Sequence, residues 1–202
     1  MDLGADRRGA WHQRPGRTQE VHPAAALTTT EEDVMGLLNA VRDLRTIQQL
    51  LTKAEAEALR AGEELPGPEH LLLSALELPD GSAVRAFERV GADSSALRKA
   101  IEAAHHNALA AAGLAEDDDG VEAPVERRPA PGAFRSTPQA QQVFQQAVAL
   151  SKSTRPSRLR SAHVVAAACA LERGTAVRAL TALGVDRARL KAAACAEVGL
   201  PG

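Results

Sequence analysis

The hydrophobic positions between residues 34 and 58 recur every three or four residues, the spacing that places side chains on one face of an α-helix. They are Val34, Leu37, Leu38, Val41, Leu44, Ile47, Leu50, Leu51, Ala54 and Ala58. Thr29, followed three residues later by Glu32, has the pattern of a capping box and predicts where this helix begins. The pattern permits either one long helix or two helices with a break between Asp43 and Thr46.

The next stretch of the chain occurs twice. Residues 67–93 read GPEHLLLSALELPDGSAVRAFERVGAD, and residues 160–186 read RSAHVVAAACALERGTAVRALTALGVD. The two copies align without a gap, and the matched pairs include His70 with His163, Gly81 with Gly174, Gly91 with Gly184 and Asp93 with Asp186. Because one copy of such a repeat cannot bury its apolar face alone, we predict that the copies pack on each other.

Glycine, proline and capping residues divide each copy into four short helices. In the first copy, the leading helix stops near Gly62, the second starts at Gly67-Pro68, the third is capped by Ser82, and the fourth runs from Asp93 to about His106. In the second copy, the predicted helices span 137–153, 160–172, 175–183 and 186–198. The residues ahead of the first repeat then form an extra N-terminal helix. The predicted core contains Leu71, Leu72, Val84, Phe87 and Leu97, with Val164, Val165, Val177, Leu180 and Leu190 in the second copy.

Two segments have the composition of a solvated chain. Residues 1–29 are rich in Gly, Pro, Arg and His, and residues 107–133 contain the acidic run from Glu116 to Asp119 together with several prolines and glycines. We expect a disordered N-terminal tail and a flexible acidic linker. Residues 30–106 then hold the extra helix and the first repeat, and residues 134–198 hold the second repeat of the same domain.

Composition supports an all-α fold. Hydrophobic residues make up 45% of the 202-residue chain, but aromatic residues only 2%, which favours closely packed helices over sheets. A formal net charge of -2 argues against a nucleic-acid partner, which would need a basic face. The chain shows neither a secretory signal nor a long apolar run, so we expect a cytoplasmic protein without a membrane partner. The excess of Arg over Lys is typical of a high-GC bacterial genome.

The sequence lacks the motifs of nucleotide hydrolysis and of proteolysis, namely G-x-x-x-x-G-K-[ST], G-x-S-x-G and H-E-x-x-H. Cys169 and Cys195 lie in apolar runs and are expected to be buried thiols. His70 and His163 are expected to be buried histidines that bond across a helix junction. We therefore predict no catalytic residue, no metal site and no cofactor. The alternative is a hydrolase whose site is assembled from dispersed residues such as Glu69, His70 and Cys169.

The first copy, with the preceding AEAEALRAG helix, resembles the repeat of the Clp N-terminal domain, the double-repeat module at the front of Clp-type AAA+ unfoldases such as ClpC and ClpA. The resemblance covers about residues 44–106 and 137–196. It rests on Gly67, Glu69, His70, Leu71 to Leu73, Gly81 and Gly91, and in the second copy on Ser136-Thr137-Pro138, His163, Gly174 and Leu183 to Asp186. It implies two four-helix repeats related by a pseudo-twofold axis.

The resemblance also implies a function, that of a non-enzymatic protein-binding module of the Clp proteolysis and quality-control system. The implied partners are Clp unfoldase or protease components and adaptor or client proteins, including arginine-phosphorylated ones. A copy without the ATPase module could serve as an adaptor or as a decoy.

The resemblance further implies a ligand-binding site at the start of the second helix. In ClpC-like relatives the Glu of the G-x-E-H motif helps to hold phosphoarginine, a degradation tag, so Glu69, with Gly67 and Pro68 opening the helix, is the candidate site. The matching residue in the second copy is Ala162, which implies one dominant site per chain. The alternative is that Glu69 only stabilises the helix N-terminus through the helix dipole.

Overall fold

The computed structural model describes residues 31–111, 113 and 135–201. The predicted tail at 1–29 and most of the predicted linker lie outside these residues. Within them the chain forms eight α-helices, one short 3₁₀ turn and no strand, which confirms the all-α fold. None of the described helices is long and apolar enough to cross a membrane.

The helices divide evenly between the repeats. The first repeat contains α1 (Glu31–Arg60), α2 (Pro68–Leu76), α3 (Ser82–Arg89), a 3₁₀ turn (Ser94–Ala96) and α4 (Leu97–Ala111). The second contains α5 (Pro138–Lys152), α6 (Ser161–Ala168), α7 (Thr175–Ala182) and α8 (Arg187–Val198). Of the two alternatives for the first helix, the structure has the unbroken one, so the predicted extra helix is the N-terminal part of α1. Helix α4 continues past its predicted end at His106.

Side chains cap several helices where the sequence predicts. Thr137 Oγ1 accepts a hydrogen bond from the Ala140 N–H at 3.2 Å, and the Asp186 carboxylate accepts from the Ala188 N–H at 2.8 Å. Ser82 is an exception, because the cap of α3 is Gly81, with a left-handed φ of 62°, and Ser82 is the first helical residue. The predicted cap was therefore wrong by one position.

The two repeats pack on each other reciprocally. Helix α3 of the first repeat packs against α8 of the second, while α7, the counterpart of α3, packs against α4. Helices α2 and α6 pack against each other. Such an exchange of contacts is what a twofold axis between the repeats produces, which confirms the predicted pseudo-symmetry.

One continuous core joins the repeats. Its largest fully buried side chains include Leu50, Leu71, Leu72, Phe87, Leu97, Val164, Val165, Leu180 and Leu190. Val84 and Val177, predicted in the core, are only half-buried, and they occupy the same position in the two repeats. On these two short helices Ala83 and Ala86, and their counterparts Ala176 and Ala179, take the inward positions instead.

The N-termini of α3 and α6 meet at the interface between the repeats, and the Asp80 carboxylate serves both. Asp80 Oδ2 accepts hydrogen bonds from the N–H groups of Ser82 and Ser161, each at 3.3 Å, and from both hydroxyls. The hydroxyls in turn accept the next N–H of the opposite helix, from Ala83 to Ser161 at 2.9 Å and from Ala162 to Ser82 at 3.0 Å. This α3–α6 junction is therefore filled by groups of the protein itself.

Candidate functional site

The N-termini of three helices converge on one pocket between the repeats, with a volume of about 470 Å³. The residues that line this inter-repeat pocket are Gly67, Pro68 and Glu69 at the start of α2, Thr137, Pro138 and Gln139 at the start of α5, and Gly174, Thr175 and Arg178 of α7. The Thr137 N–H donates to the Pro66 carbonyl at 3.0 Å, which fixes the start of α5 beside that of α2. Helix N-termini carry partial positive charge and favour a negative one, and the Glu69 carboxylate already lies against the N–H groups of Glu69 and Ala176, at the starts of α2 and α7.

The predicted site residues Gly67, Pro68 and Glu69 lie together in the wall of the pocket. Glu69 is not an open helix-end carboxylate, because only 6% of the residue is exposed. Burial raises the pKa of its carboxyl group, and the nearby Glu63 raises it further, while N–H groups of Glu69 itself and of Ala176 act in the opposite direction. Glu69 thus lies between the starts of α2 and α7.

Gly67 is required by the close approach of the Glu69 side chain. A Cβ atom at position 67 would lie 1.9 Å from Glu69 Oε1, which is much closer than nonbonded atoms can come. The φ of Gly67 is -94°, a value that any residue can adopt. The space for the carboxylate, and not the backbone conformation, is therefore the reason for glycine here.

We expect Gly67→Ala to displace the Glu69 carboxylate into solvent. The pKa of Glu69, which burial raises, should then fall towards its ordinary value, and NMR titration of the Glu69 side chain would measure this shift. The free energy of unfolding should change by no more than about 1 kcal/mol, because the displaced atoms end a flexible side chain. If Glu69 titrated in Gly67→Ala as it does in the parent, the Glu69 side chain would not lie as close to position 67 as the structure shows. Pro68→Ala is the matched control at the neighbouring position.

His70 and His163 are buried histidines, but their hydrogen bonds are local. His70 Nδ1 accepts the Gly67 N–H at 2.9 Å, and His163 Nδ1 accepts the Arg160 N–H at 3.0 Å. Each bond closes the start of its own helix, so the predicted bond across a helix junction was wrong. Burial lowers the pKa of both imidazoles to about 4, so both are neutral at neutral pH.

The arrangement of the residues gives the hydrolase alternative no support. Cys169 and Cys195 are buried free thiols, as predicted. Burial raises the pKa of Cys169 to about 12, so it carries a protonated thiol and not a nucleophilic thiolate. The His70 imidazole already uses its Nδ1 lone pair to accept the Gly67 N–H. Among the described residues, this trio of Glu69, His70 and Cys169 has no activated nucleophile.

Sequence reasoning missed the part of the pocket that the second repeat contributes. Thr137, Pro138 and Gly174 belong to the repeat and to the motifs that carry the resemblance, but no local pattern places them at the ligand site. The signal that could have found them is the repeat itself: a pseudo-twofold axis brings the start of α7, the counterpart of α3, next to α2. Arg178 carries no motif and becomes a pocket residue only through the packing of α7 on the first repeat.

The structure is a helical double-repeat module with a pocket between its repeats. Residues 45–121 and 135–200 match the model of the Clp repeat (R) N-terminal domain, and these segments span more than half of the chain. The protein belongs to the Clp repeat N-terminal domain family. Domains of this family typically bind substrates or adaptors of Clp chaperones, and they are not catalytic.

Two solved structures are similar to this chain at low sequence identity. One is the N-terminal domain of the caseinolytic protease associated chaperone ClpD from Arabidopsis thaliana, with 20% identity, coverage of 78% of this chain and 92% of that chain, and a TM-score of 0.48. The other comes from preliminary structural investigations of a malarial protein secretion system, with 13% identity, the same coverage and a TM-score of 0.48. A comparison with curated proteins gives no match.

Proposed function

We propose that this protein is a non-enzymatic recognition module of Clp-dependent proteolysis that binds a phosphoarginine-like tag in the inter-repeat pocket. The observation that carries the proposal is the convergence of three helix N-termini with the Glu69 carboxylate in a single pocket. The combination offers a partner for each half of the tag, which carries a guanidinium group and a phosphate bonded to it.

The Glu69 carboxylate is the partner for the guanidinium. A carboxylate accepts two parallel N–H bonds from a guanidinium group, and such charge-assisted bonds are about twice as strong as neutral ones. A bound cation would also offset the desolvation that raises the pKa of Glu69. Because the carboxylate lies deep in the wall, the ligand must enter the pocket to reach it.

The helix starts and Arg178 are the partners for the phosphate. The N-termini of α2, α5 and α7 all border the pocket, and each favours a negative charge. Because the Glu69 carboxylate already lies against N–H groups at the starts of α2 and α7, the phosphate is expected beside the start of α5 and Arg178. Arg178 adds a formal positive charge at the edge, where its Nη2 donates to Thr175 Oγ1 at 3.2 Å. This bond orients the guanidinium of Arg178 beside the start of α7.

The second copy offers no equivalent site, for two reasons. Ala162 stands at the position of Glu69, so the carboxylate is missing. In addition, the Asp80 carboxylate already occupies the N-termini of α3 and α6, where a phosphate would have to bind. One tag should therefore bind per chain.

We expect phosphoarginine to bind more tightly than either arginine or inorganic phosphate, because each of these fills only half of the pocket. Affinity should rise as the pH increases through the pKa of Glu69, since only the ionised carboxylate pairs with the guanidinium. Burial raises that pKa, so the loss on acidification should begin at a higher pH than for an ordinary glutamate. Calorimetric titrations of the three ligands over a pH series would test this. Phosphate binding as tightly as phosphoarginine would contradict it.

A reconstituted degradation assay would separate the adaptor role from the decoy role. With an arginine-phosphorylated client and a Clp unfoldase and protease, an adaptor accelerates degradation and a decoy slows it. Glu69→Gln should abolish either effect. An unchanged rate in the presence of excess parent protein would argue against both roles.

A further inference from the structure

A second pocket lies within the first repeat, between the end of α1 and helix α4, and has a volume of about 250 Å³. The residues that line this α1–α4 pocket include Glu57, Arg60, His70, Leu73, Arg98 and Ile101. It shares no lining residue with the inter-repeat pocket. Pockets that hold drug-sized ligands measure about 300–1,000 Å³, so a ligand of the α1–α4 pocket must be smaller.

His70 provides a hydrogen-bond donor in the wall of this pocket. Its Nδ1 accepts the Gly67 N–H, so the neutral imidazole carries its proton on Nε2. Only 1% of His70 is exposed, and its Nε2 has no hydrogen-bond partner among the described residues. A buried donor without an acceptor destabilises the folded protein, and a ligand that supplies the acceptor removes this cost.

Two guanidinium groups in the pocket share one buried carboxylate. Glu57, which is 4% exposed, accepts hydrogen bonds from Arg60 Nη1, from Arg98 Nη1 and, at 3.0 Å, from Arg98 Nη2. Two positive charges and one negative charge leave these three side chains with a net charge of +1. Glu77, 3.7 Å from Arg98 Nη2, and Glu102 in the lining are exposed, so solvent and salt screen their charges.

The rest of the inner wall is apolar, because the side chains of Leu73 and Ile101 are buried there. The second repeat does not reproduce the whole combination. His163 Nε2 also lacks a partner among the described residues, but Leu150 and Lys191 stand at the positions of Glu57 and Arg98. The carboxylate shared by two guanidinium groups is therefore a feature of the first repeat.

We propose that the α1–α4 pocket binds a small aliphatic carboxylate. The carboxylate accepts from His70 Nε2–H and pairs with the excess positive charge of Arg60 and Arg98, while the aliphatic group packs on Leu73 and Ile101. Two sources carry this chemistry, a free branched short-chain acid and the C-terminal residue of a peptide that ends in an aliphatic side chain. The site goes beyond the proposed function and does not depend on it.

Calorimetry of the full chain with three small probes tests the proposal. N-acetyl-L-leucine represents a C-terminal residue, isovalerate represents a free acid, and N-acetyl-L-leucinamide has the shape of the first probe without its charge. N-acetyl-L-leucine should bind at least about tenfold more tightly than its amide, because only the acid makes charge-assisted hydrogen bonds. The tighter of the two acids identifies the source. NMR should also show a shift of the His70 Nε2–H signal when either acid binds.

Two phenylalanine substitutions serve as a matched pair. Ala61 is an exposed lining residue at the end of α1, so Ala61→Phe should fill the pocket and weaken binding of the acids by at least about tenfold. Ala103 is exposed on α4 and lies outside the pocket, so Ala103→Phe should bind like the parent. Arg98→Gln should weaken binding as strongly as Ala61→Phe, and its melting curve shows whether it is folded. Ala61→Phe leaves the buried Glu57 pairs intact and decides the test if Arg98→Gln does not fold.

Three results would each overturn the site. The parent chain binds neither acid at millimolar concentration, or it binds N-acetyl-L-leucine and its amide equally, or Ala61→Phe binds the acids as Ala103→Phe does. Ala61→Phe should bind phosphoarginine with the affinity of the parent, because residue 61 does not line the inter-repeat pocket. Failure of this site and failure of the proposed function therefore give different results.

Discussion

Glu69→Gln should weaken phosphoarginine binding by about ten- to more than a hundredfold, the equivalent of the roughly 1.5–3 kcal/mol that a charge-assisted hydrogen bond contributes. The amide keeps the size of the side chain but cannot supply the negative charge. Calorimetry gives the affinity. Glu64→Gln is the matched control, because the Glu64 side chain is 83% exposed and lies outside the pocket.

The same variant should not lose stability. Because burial raises the pKa of Glu69 in the folded protein, its ionised form reduces the free energy of unfolding at pH values above that pKa. A neutral amide removes this effect, so the melting temperature at neutral pH should stay the same or rise. If Glu69→Gln bound phosphoarginine as tightly as the parent, Glu69 would be only a helix-start residue. A large loss of stability would make it a structural cap.

Asp80→Ala should lower the free energy of unfolding by about 2–4 kcal/mol. The substitution removes the acceptor for two helix N-termini at once, and loss of a single N-cap costs about 0.5–2 kcal/mol. It also leaves the N–H groups of Ser82 and Ser161, both in fully buried residues, without their acceptor. Urea unfolding monitored by circular dichroism would measure the change.

The repeat provides the control for this second variant. Arg173 is the counterpart of Asp80 and is exposed, so Arg173→Ala should change stability by no more than about 0.5 kcal/mol. A loss below about 1 kcal/mol in Asp80→Ala would mean that water replaces the carboxylate. In that case the α3–α6 junction would be open enough to admit an anion, and the one-site account would be wrong.

Local patterns were sufficient to predict the fold. The spacing of apolar residues from Leu37 to Ala58 marks one helical face, and Gly91 with Asp93 marks the end of one helix and the start of the next. The gapless alignment of the copies predicts that they pack on each other, and the family resemblance implies the twofold relation between them. The prediction of Ser82 as the cap of α3 was wrong because its hydroxyl bonds Asp80 and Ser161 instead. The contact with Ser161 forms only when the two repeats pack together.

The candidate site could be predicted only in part. Gly67, Pro68 and Glu69 are contiguous and belong to a motif, so the sequence shows them. The opposite wall of the pocket, with Thr137 and Arg178, comes from the other repeat. No local sequence pattern predicts which helix N-termini will lie next to each other in the folded protein. Asp80 has the sequence context of an ordinary turn residue, but in the folded protein its carboxylate fills the α3–α6 junction.

The most direct test of the binding account is amide NMR mapping of phosphoarginine on the parent chain. We expect the ligand to shift the amide signals of Glu69, Gln139 and Thr175, at the starts of α2, α5 and α7, with a stoichiometry of one per chain. The amides of Ser82 and Ser161, at the junction filled by Asp80, should stay unchanged. Shifts at Ser82 and Ser161, or no shift at the inter-repeat pocket at millimolar ligand, would contradict the account.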